Sequence, residues 1–270
     1  METGHQKNIA NLETLIAHCK TLGTDYAPSR DALKIVNLET IYSSANNIIN
    51  SEASTSVYST ETVWNKATND REIIFKPLKT LATQIINALD STEATEQTVK
   101  DARTIVRKIE GARAPKSKKA LDAFIESTPE KSLTASDNMP ADATEPVEAT
   151  ESHKFISTSQ QSYDLLVEHF SKLITLLNAE PAYAPNEEKL KLVTLKTLLT
   201  SMKASNSAVI NTKTALDDAR VTRDKIMYEE KTGLCDLALD TKKYIRSVFG
   251  STSPKYKQIS SLEFRKIKKK

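Results

Sequence analysis

Ile9, Leu12, Ile16 and Cys19 recur at spacings of three and four residues, and Leu15 and Leu22 widen the stripe. That period lays apolar side chains along one face of an α-helix. A second run, Leu33, Val36, Ile41, Ala45 and Ile48, predicts another helix, and a third carries Trp64, Ala67, Ile74, Leu78, Leu81 and Ile85. Pro77 interrupts the third run and Gly233 interrupts a similar run later in the chain. Proline removes a helix donor and glycine lowers helix propensity, so a kink or break is expected at both. No segment sustains the period-two alternation of a half-buried strand. The pattern predicts an all-α protein.

The pattern also repeats. YAPSRDALKIVNLETIYSS (26–44) and YAPNEEKLKLVTLKTLLTS (183–201) share nine of 19 positions without a gap. Residues 67–80 align with 219–232, and VRKIEGARAPKSK aligns with IRSVFGSTSPKYK. Three matches in one order indicate an internal duplication. The offset falls from 157 to 152 to 139 residues, so the first half holds about 18 residues that the second lacks. Most of that difference lies around DSTEATEQTVKD (90–101), which reads as a turn with a Ser or Thr cap. In the shared turn, Ser29 and Asn186 are the expected N-caps, with Asp31 and Glu188 in the first turn and the tyrosines packed back across it.

Residues 127–153 combine Pro, Ser, Thr and acids with almost no apolar side chains. Such a stretch buries too little surface to offset the ordering of its backbone. The expected architecture is two tandem, internally duplicated antiparallel helical bundles with a flexible linker. The bundles are expected at 1–111 and 154–250, the linker (basic, then acidic) at 112–153, and a basic tail at 251–270.

Composition narrows the function. Five glycines in 270 residues leave few tight turns, and a net charge of +3 does not by itself imply nucleic acid. Cys19 and Cys235 lack metal-ligand spacing and read as reduced core thiols. Of the histidines, His5 and His153 fall in an expected tail and linker, while His18 and His169 have no ligating neighbour one helical turn away. No phosphate-binding glycine loop, no His-Glu-x-x-His and no Gly-x-Ser-x-Gly occurs. The expectation is a protein without catalytic residues, cofactor or metal. No run has signal-peptide or membrane-span length, which predicts a cytoplasmic protein with no membrane partner.

Two features carry candidate sites. Arg71 and Arg223 fall on apolar stripes, where a guanidinium is costly unless it is paired or reaches solvent. They mark either an ion pair or a buried anion site in each half. The second feature is Gly-x-x-x-Pro-Lys-x-Lys, repeated at 111–118 and 250–257. Glycine stops a helix, proline hinders its return and lysines favour its C-terminal end. Residues 103–119 and 255–270 each hold seven basic side chains against one acid, while 126–152 hold seven acids and one lysine. Leu262 and Phe264 follow the second copy; a purely solvating tail would not need them, and they are expected to dock on the bundle or on another chain. Lys116, Lys118, Lys255, Lys257, Leu262, Phe264 and Arg265 are therefore the candidate partner-binding residues. FGSTSPKYKQISSLEFR (249–265) resembles the ends of helical bacterial proteins to which no function is attached. The expected function is a structural or interaction protein that self-associates or binds a protein partner. The alternatives are phosphate contacts from the basic segments to a nucleic acid, and a small anion held by the two arginines.

Overall fold

The computed structural model describes residues 3–111 and 161–266. The expected linker at 112–153, with Lys116 and Lys118, lies outside the described residues. All regular structure among the described residues is helical. The helices are α1 (Thr3–Thr21), α2 (Ile35–Asn50), α3 (Val57–Phe75), α4 (Leu78–Asp90) and α5 (Glu96–Glu110), then α6 (Tyr163–Ala179), α7 (Leu192–Tyr228), α8 (Leu234–Phe249) and α9 (Pro254–Ser260). Pro77 separates α3 from α4, and Gly233 stands at the start of α8, so both expected breaks are present. Thr95 caps α5, its side chain accepting from the Thr98 amide, as the expected turn at 90–101 requires. Gly111 and Gly250 end α5 and α8 at positive φ, 79° and 84°, a conformation that costs glycine nothing. Pro254 does not prevent a further helix. It occupies the first turn of α9, where its missing N–H is no loss.

The chain divides into two compact units that do not follow the serial order expected from the repeat. The first unit is Met1–Arg71 with Ser207–Lys270, and the second is Glu72–Asn206. Each unit thus takes a hairpin from one half of the sequence and a closing helix from the other. Hydrophobic periodicity locates helices but does not say which copy's stripe another copy's stripe will cover.

In the first unit the core joins Leu12, Leu15, Leu38, Leu234, Ala238 and Ile245. Here α8 packs on α1, on α2 and on a 3-10 turn at Asp31–Leu33. A smaller cluster pairs Val57 of α3 with Leu216 and Ala219 of α7, flanked by Trp64. In the second unit α5 packs on both α4 and α6, and α4 packs on a 3-10 turn at Glu188–Leu190. Its core includes Leu78, Ile85, Ile109, Phe170, Leu173 and Leu195.

Burial shows which helices correspond. Ala82, Ile85, Ile86 and Leu89 of α4 are buried in the same register as Leu234, Leu237, Ala238 and Thr241 of α8. The offset is the 152 of the second sequence match. In that register α8 lines up with α4. The third sequence match pairs two helix ends with similar stops, not two equivalent helices.

Candidate interaction site

The turn that enters each hairpin is the best-preserved part of the duplication. Tyr26 and Tyr183 are both buried, and each phenol donates to a carbonyl seven residues on, Leu33 at 2.6 Å and Leu190 at 2.9 Å. The intervening residues make a 3-10 turn in both copies, and α2 and α7 begin only after it. Ser29 and Asn186 therefore do not cap. The residues preceding the α-helices are Lys34 and Lys191, extended at ψ 145° and 138°. Each lysine pairs with the acid three residues before it, Asp31 or Glu188, at 2.6 and 2.7 Å. Burial pushes the Tyr183 phenol up to about 12.

This turn also resets the helical phase. Leu33 and Leu190 are buried in the turn, so a position three residues later is no longer on their face. Val36 and Val193, expected on the apolar stripe, are instead 70% and 76% exposed. Among the nine identities of the hairpin they are the one pair of large apolar side chains that the fold leaves in solvent. Val36 lines a cleft with Pro28 and Ile35 in the first unit.

The other side of the turn differs between units. In the first unit, Arg30 donates to Asp240 at 2.7 Å and to the Lys231 carbonyl at 2.6 Å. Tyr244 packs edge-on against Tyr26, its hydroxyl accepting from the Ala27 amide at 3.2 Å. At the matching positions of the second unit stand Glu187, Ala88 and Thr92. None of those contacts forms there, and a cleft of about 580 Å³ opens between α4 and the turn, lined by Asn87, Ser91, Thr92, Asn186 and Glu187. It meets a second, apolar cleft of about 310 Å³ walled by Pro77, Leu81, Leu195 and Leu198. Gln84 and Lys189 line both. Neither cleft had a signal in the sequence, because each depends on which copy of α4 or α8 covers the turn.

Of the two places open to the apolar residues of the C-terminal segment, the bundle or another chain, the structure shows the first. Phe264 is buried and Leu262 half-buried, both in the core of the first unit, with Ile259 of α9 beside them. Buried Asn8 of α1 clamps the strap after α9: its amide donates to the Arg265 carbonyl at 2.9 Å and its oxygen accepts from the Arg265 N–H at 3.1 Å. Asn11 donates to the Glu263 carbonyl at 2.8 Å, and Lys242 donates to the Ser260 and Leu262 carbonyls. Lys255 pairs with Asp25, Lys266 with Asp236, and the Arg265 guanidinium with Glu263. The Lys266 hydrogen bond holds the Asp236 carboxyl below its usual range. Lys257 is exposed on α9. Leu262 and Phe264 thus anchor the chain to itself, and an outside partner would meet the lysines and the Arg265 guanidinium.

Arg71 and Arg223 both lie in the first unit rather than one in each bundle. Arg223 is buried and its Nε and an Nη donate to Asp224 at 2.9 and 2.7 Å, while Arg71 is half-buried. The expected ion pair is present at Arg223. His5, expected in a tail, is instead buried in α1 with its Nδ1 2.6 Å from the Tyr228 hydroxyl. His169 is buried too, and burial together with nearby Lys108 lowers its pKa. Cys19 and Cys235 are buried free thiols, raised by burial to about 11 and about 12. Such thiols pack as small hydrophobes and are weak nucleophiles. Among the described residues no three His, Cys, Asp or Glu side chains group as a metal site, and no helix is long and apolar enough to cross a membrane.

No family model, curated protein or solved structure matches the chain.

Proposed function

We propose that this protein acts by binding, as a self-associating interaction protein built on a duplicated helical hairpin, with residues 112–153 as the connection between its halves. One observation carries the reading. Val36 and Val193 occupy the same position of the two hairpins and are both exposed on the first turn of their helices. The other large shared side chains have internal work: the tyrosines close the turn, Leu33 and Leu190 pack beneath it, and Lys34 and Lys191 pair with acids. An apolar side chain kept in solvent twice has no such role, and paired surfaces on one chain suit assembly.

Light scattering over a range of concentrations tests this. The expected result is a mass above the 30.0 kDa of one chain, returned to that value by Val36→Asp with Val193→Asp. A single-chain mass at every concentration removes self-association. The nucleic-acid alternative is weakened because Lys255, Arg265 and Lys266 are paired with the protein's own acids. Binding to DNA or RNA that falls steeply with salt would restore it. The anion alternative is weakened in the same way by the Arg223–Asp224 pair.

A further inference from the structure

The first unit displays within itself how this protein holds an extended peptide. After Leu262, whose N–H donates to the Ile259 carbonyl at 3.2 Å, the strap makes no helical hydrogen bonds, and α1 meets it with two amides one turn apart, Asn8 and Asn11. Between those clamps Phe264 enters the core, and its neighbours in sequence are one acid and one base, Glu263 and Arg265. A side-chain amide can donate to a carbonyl and accept from an N–H of the same backbone, which makes it suited to an unpaired strand.

The second unit offers groups of the same chemistry, on α4 and the turn rather than on the α1 counterpart, around an open cleft. Gln84 and Asn87 of α4 are one turn apart and line it, and neither makes a side-chain hydrogen bond to another described residue. Beside them Leu81, Leu195 and Leu198 wall the apolar pocket. Glu187 and Lys189 supply one charge of each sign at the rim, and neither has an ion-pair partner among the described residues. In the first unit the place of Glu187 is taken by Arg30, which fills the gap by pairing with Asp240. The charge reversal therefore removes an internal plug and leaves a carboxylate facing outward.

We propose that this cleft binds an extended peptide segment of a partner protein, with one apolar anchor flanked by an acid and a base. The anchor enters the pocket of Leu81, Leu195 and Leu198, Gln84 and Asn87 clamp the backbone, and Glu187 and Lys189 pair with the flanking charges. This rests on the reading of the chain as an interaction protein, but not on the exposed valines, so the two fail separately.

The probe is a fluorescent peptide of residues 258–266, QISSLEFRK, with blocked ends, titrated into the full chain and followed by anisotropy. Saturable binding is expected. Gln84→Ala with Asn87→Ala should weaken it about tenfold or more, the equivalent of one lost hydrogen bond or more. Glu187→Arg should weaken it too, and the Phe→Ala peptide should not bind. Circular dichroism confirms that these surface variants remain folded. Absence of saturable binding overturns the proposal. So does binding lost with Asn8→Ala but kept in Gln84→Ala with Asn87→Ala, which would mean that the peptide exchanges with the strap. Binding lost only with Val36→Asp and Val193→Asp would assign it to the hairpin surface and overturn the cleft.

Discussion

In the unit of Glu72–Asn206, α5 lies against α4 and α6 with its backbone hydrogen bonds already made within the helix. Setting buried Leu12, Leu15, Ile16 and Cys19 of α1 against buried Phe170, Leu173, Ile174 and Leu177 of α6 places Asn8 opposite Leu166 and Asn11 opposite His169. In the other unit the corresponding job falls to α9 and the strap after it, whose carbonyls and N–H groups beyond Leu262 have no helical partners. There α1 presents Asn8 and Asn11, and both are used. The difference follows from hydrogen-bond accounting. A buried backbone group must be paired, so a wall facing a strap needs amides, while a wall facing a helix needs only shape and apolar surface.

The largest effect expected from this comparison is the loss of the strap. Removing residues 254–270 takes Ile259, Leu262 and Phe264 out of the first unit's core and strands Asn8. Phe264→Ala alone should cost about 3 kcal/mol, and the truncation should leave the first unit unfolded while the second keeps its helices. Trp64 is the single tryptophan and lies in the first unit, so its fluorescence reports that unit alone. Its melting transition should disappear while part of the helical circular dichroism still melts cooperatively. An unchanged Trp64 transition would show that the strap does not close the unit.

Alkali should separate the units next. Burial holds Cys19 at about 11 and Cys235 at about 12, against a usual thiol value of 9.0. Burial also raises the phenols of Tyr26 and Tyr228, and all four groups belong to the first unit. The second unit has Tyr183 alone among the large shifts. These groups lose their proton more readily unfolded than folded. Their contribution is therefore complete below the usual thiol range and lost as pH rises from about 9 towards 12. At pH 10.5 the Trp64 transition should move down by more than the remaining helix signal. Parallel shifts would mean that the buried thiols do not distinguish the units.

The helices and their breaks were readable because periodicity, proline and glycine act locally. The phases of the duplicated helices were not. Val36 continues the stripe of Leu33 only if one helix runs through Lys34, and the 3-10 turn ends that continuity. The exit motif left its target open for another reason. Its lysines and its Gly-x-x-x-Pro spacing are local, while Leu262 and Phe264 depend on α1, which begins some 250 residues earlier. Asn8 and Asn11 are the residues that a reading of the sequence should have stopped at. Asn8 lies in the interior of a helix on the apolar stripe, where it is costly without a partner. The clefts had no such marker.

An exchange of the two walls sharpens the comparison. Asn8→Leu should cost about 2 kcal/mol, because it leaves the Arg265 N–H unpaired and its carbonyl with only the long 3.9 Å contact from the Cys235 thiol. Leu166→Asn should cost a similar amount for the opposite reason, since its amide would enter an apolar core whose helices offer no free backbone group. Chemical denaturation read at Trp64 for the first variant and by circular dichroism for the second gives both values. A neutral Asn8→Leu would mean that packing alone holds the strap.

The smallest difference concerns the feature that the units share most closely. Tyr26→Phe and Tyr183→Phe each remove one hydroxyl that donates to the carbonyl of a buried leucine, at 2.6 and 2.9 Å. A bond of this kind contributes about 1 kcal/mol when its loss leaves the acceptor dry. In the first unit Tyr26 lines the Val36 cleft but Leu33 does not, and Arg30, Asp240 and Tyr244 close the α8 side of the turn, so no water should reach Leu33. In the second unit Leu190 and Tyr183 themselves line the open cleft, so a water can take the place of the lost hydroxyl. Tyr26→Phe should therefore cost about 1 kcal/mol and Tyr183→Phe measurably less, when each is read by the denaturation of its own unit. If the cleft takes a peptide, the bound state should remove that advantage, and the Tyr183→Phe deficit should grow towards the Tyr26→Phe value at saturating QISSLEFRK. Equal costs without peptide would mean that the cleft excludes water as well as the closed turn does.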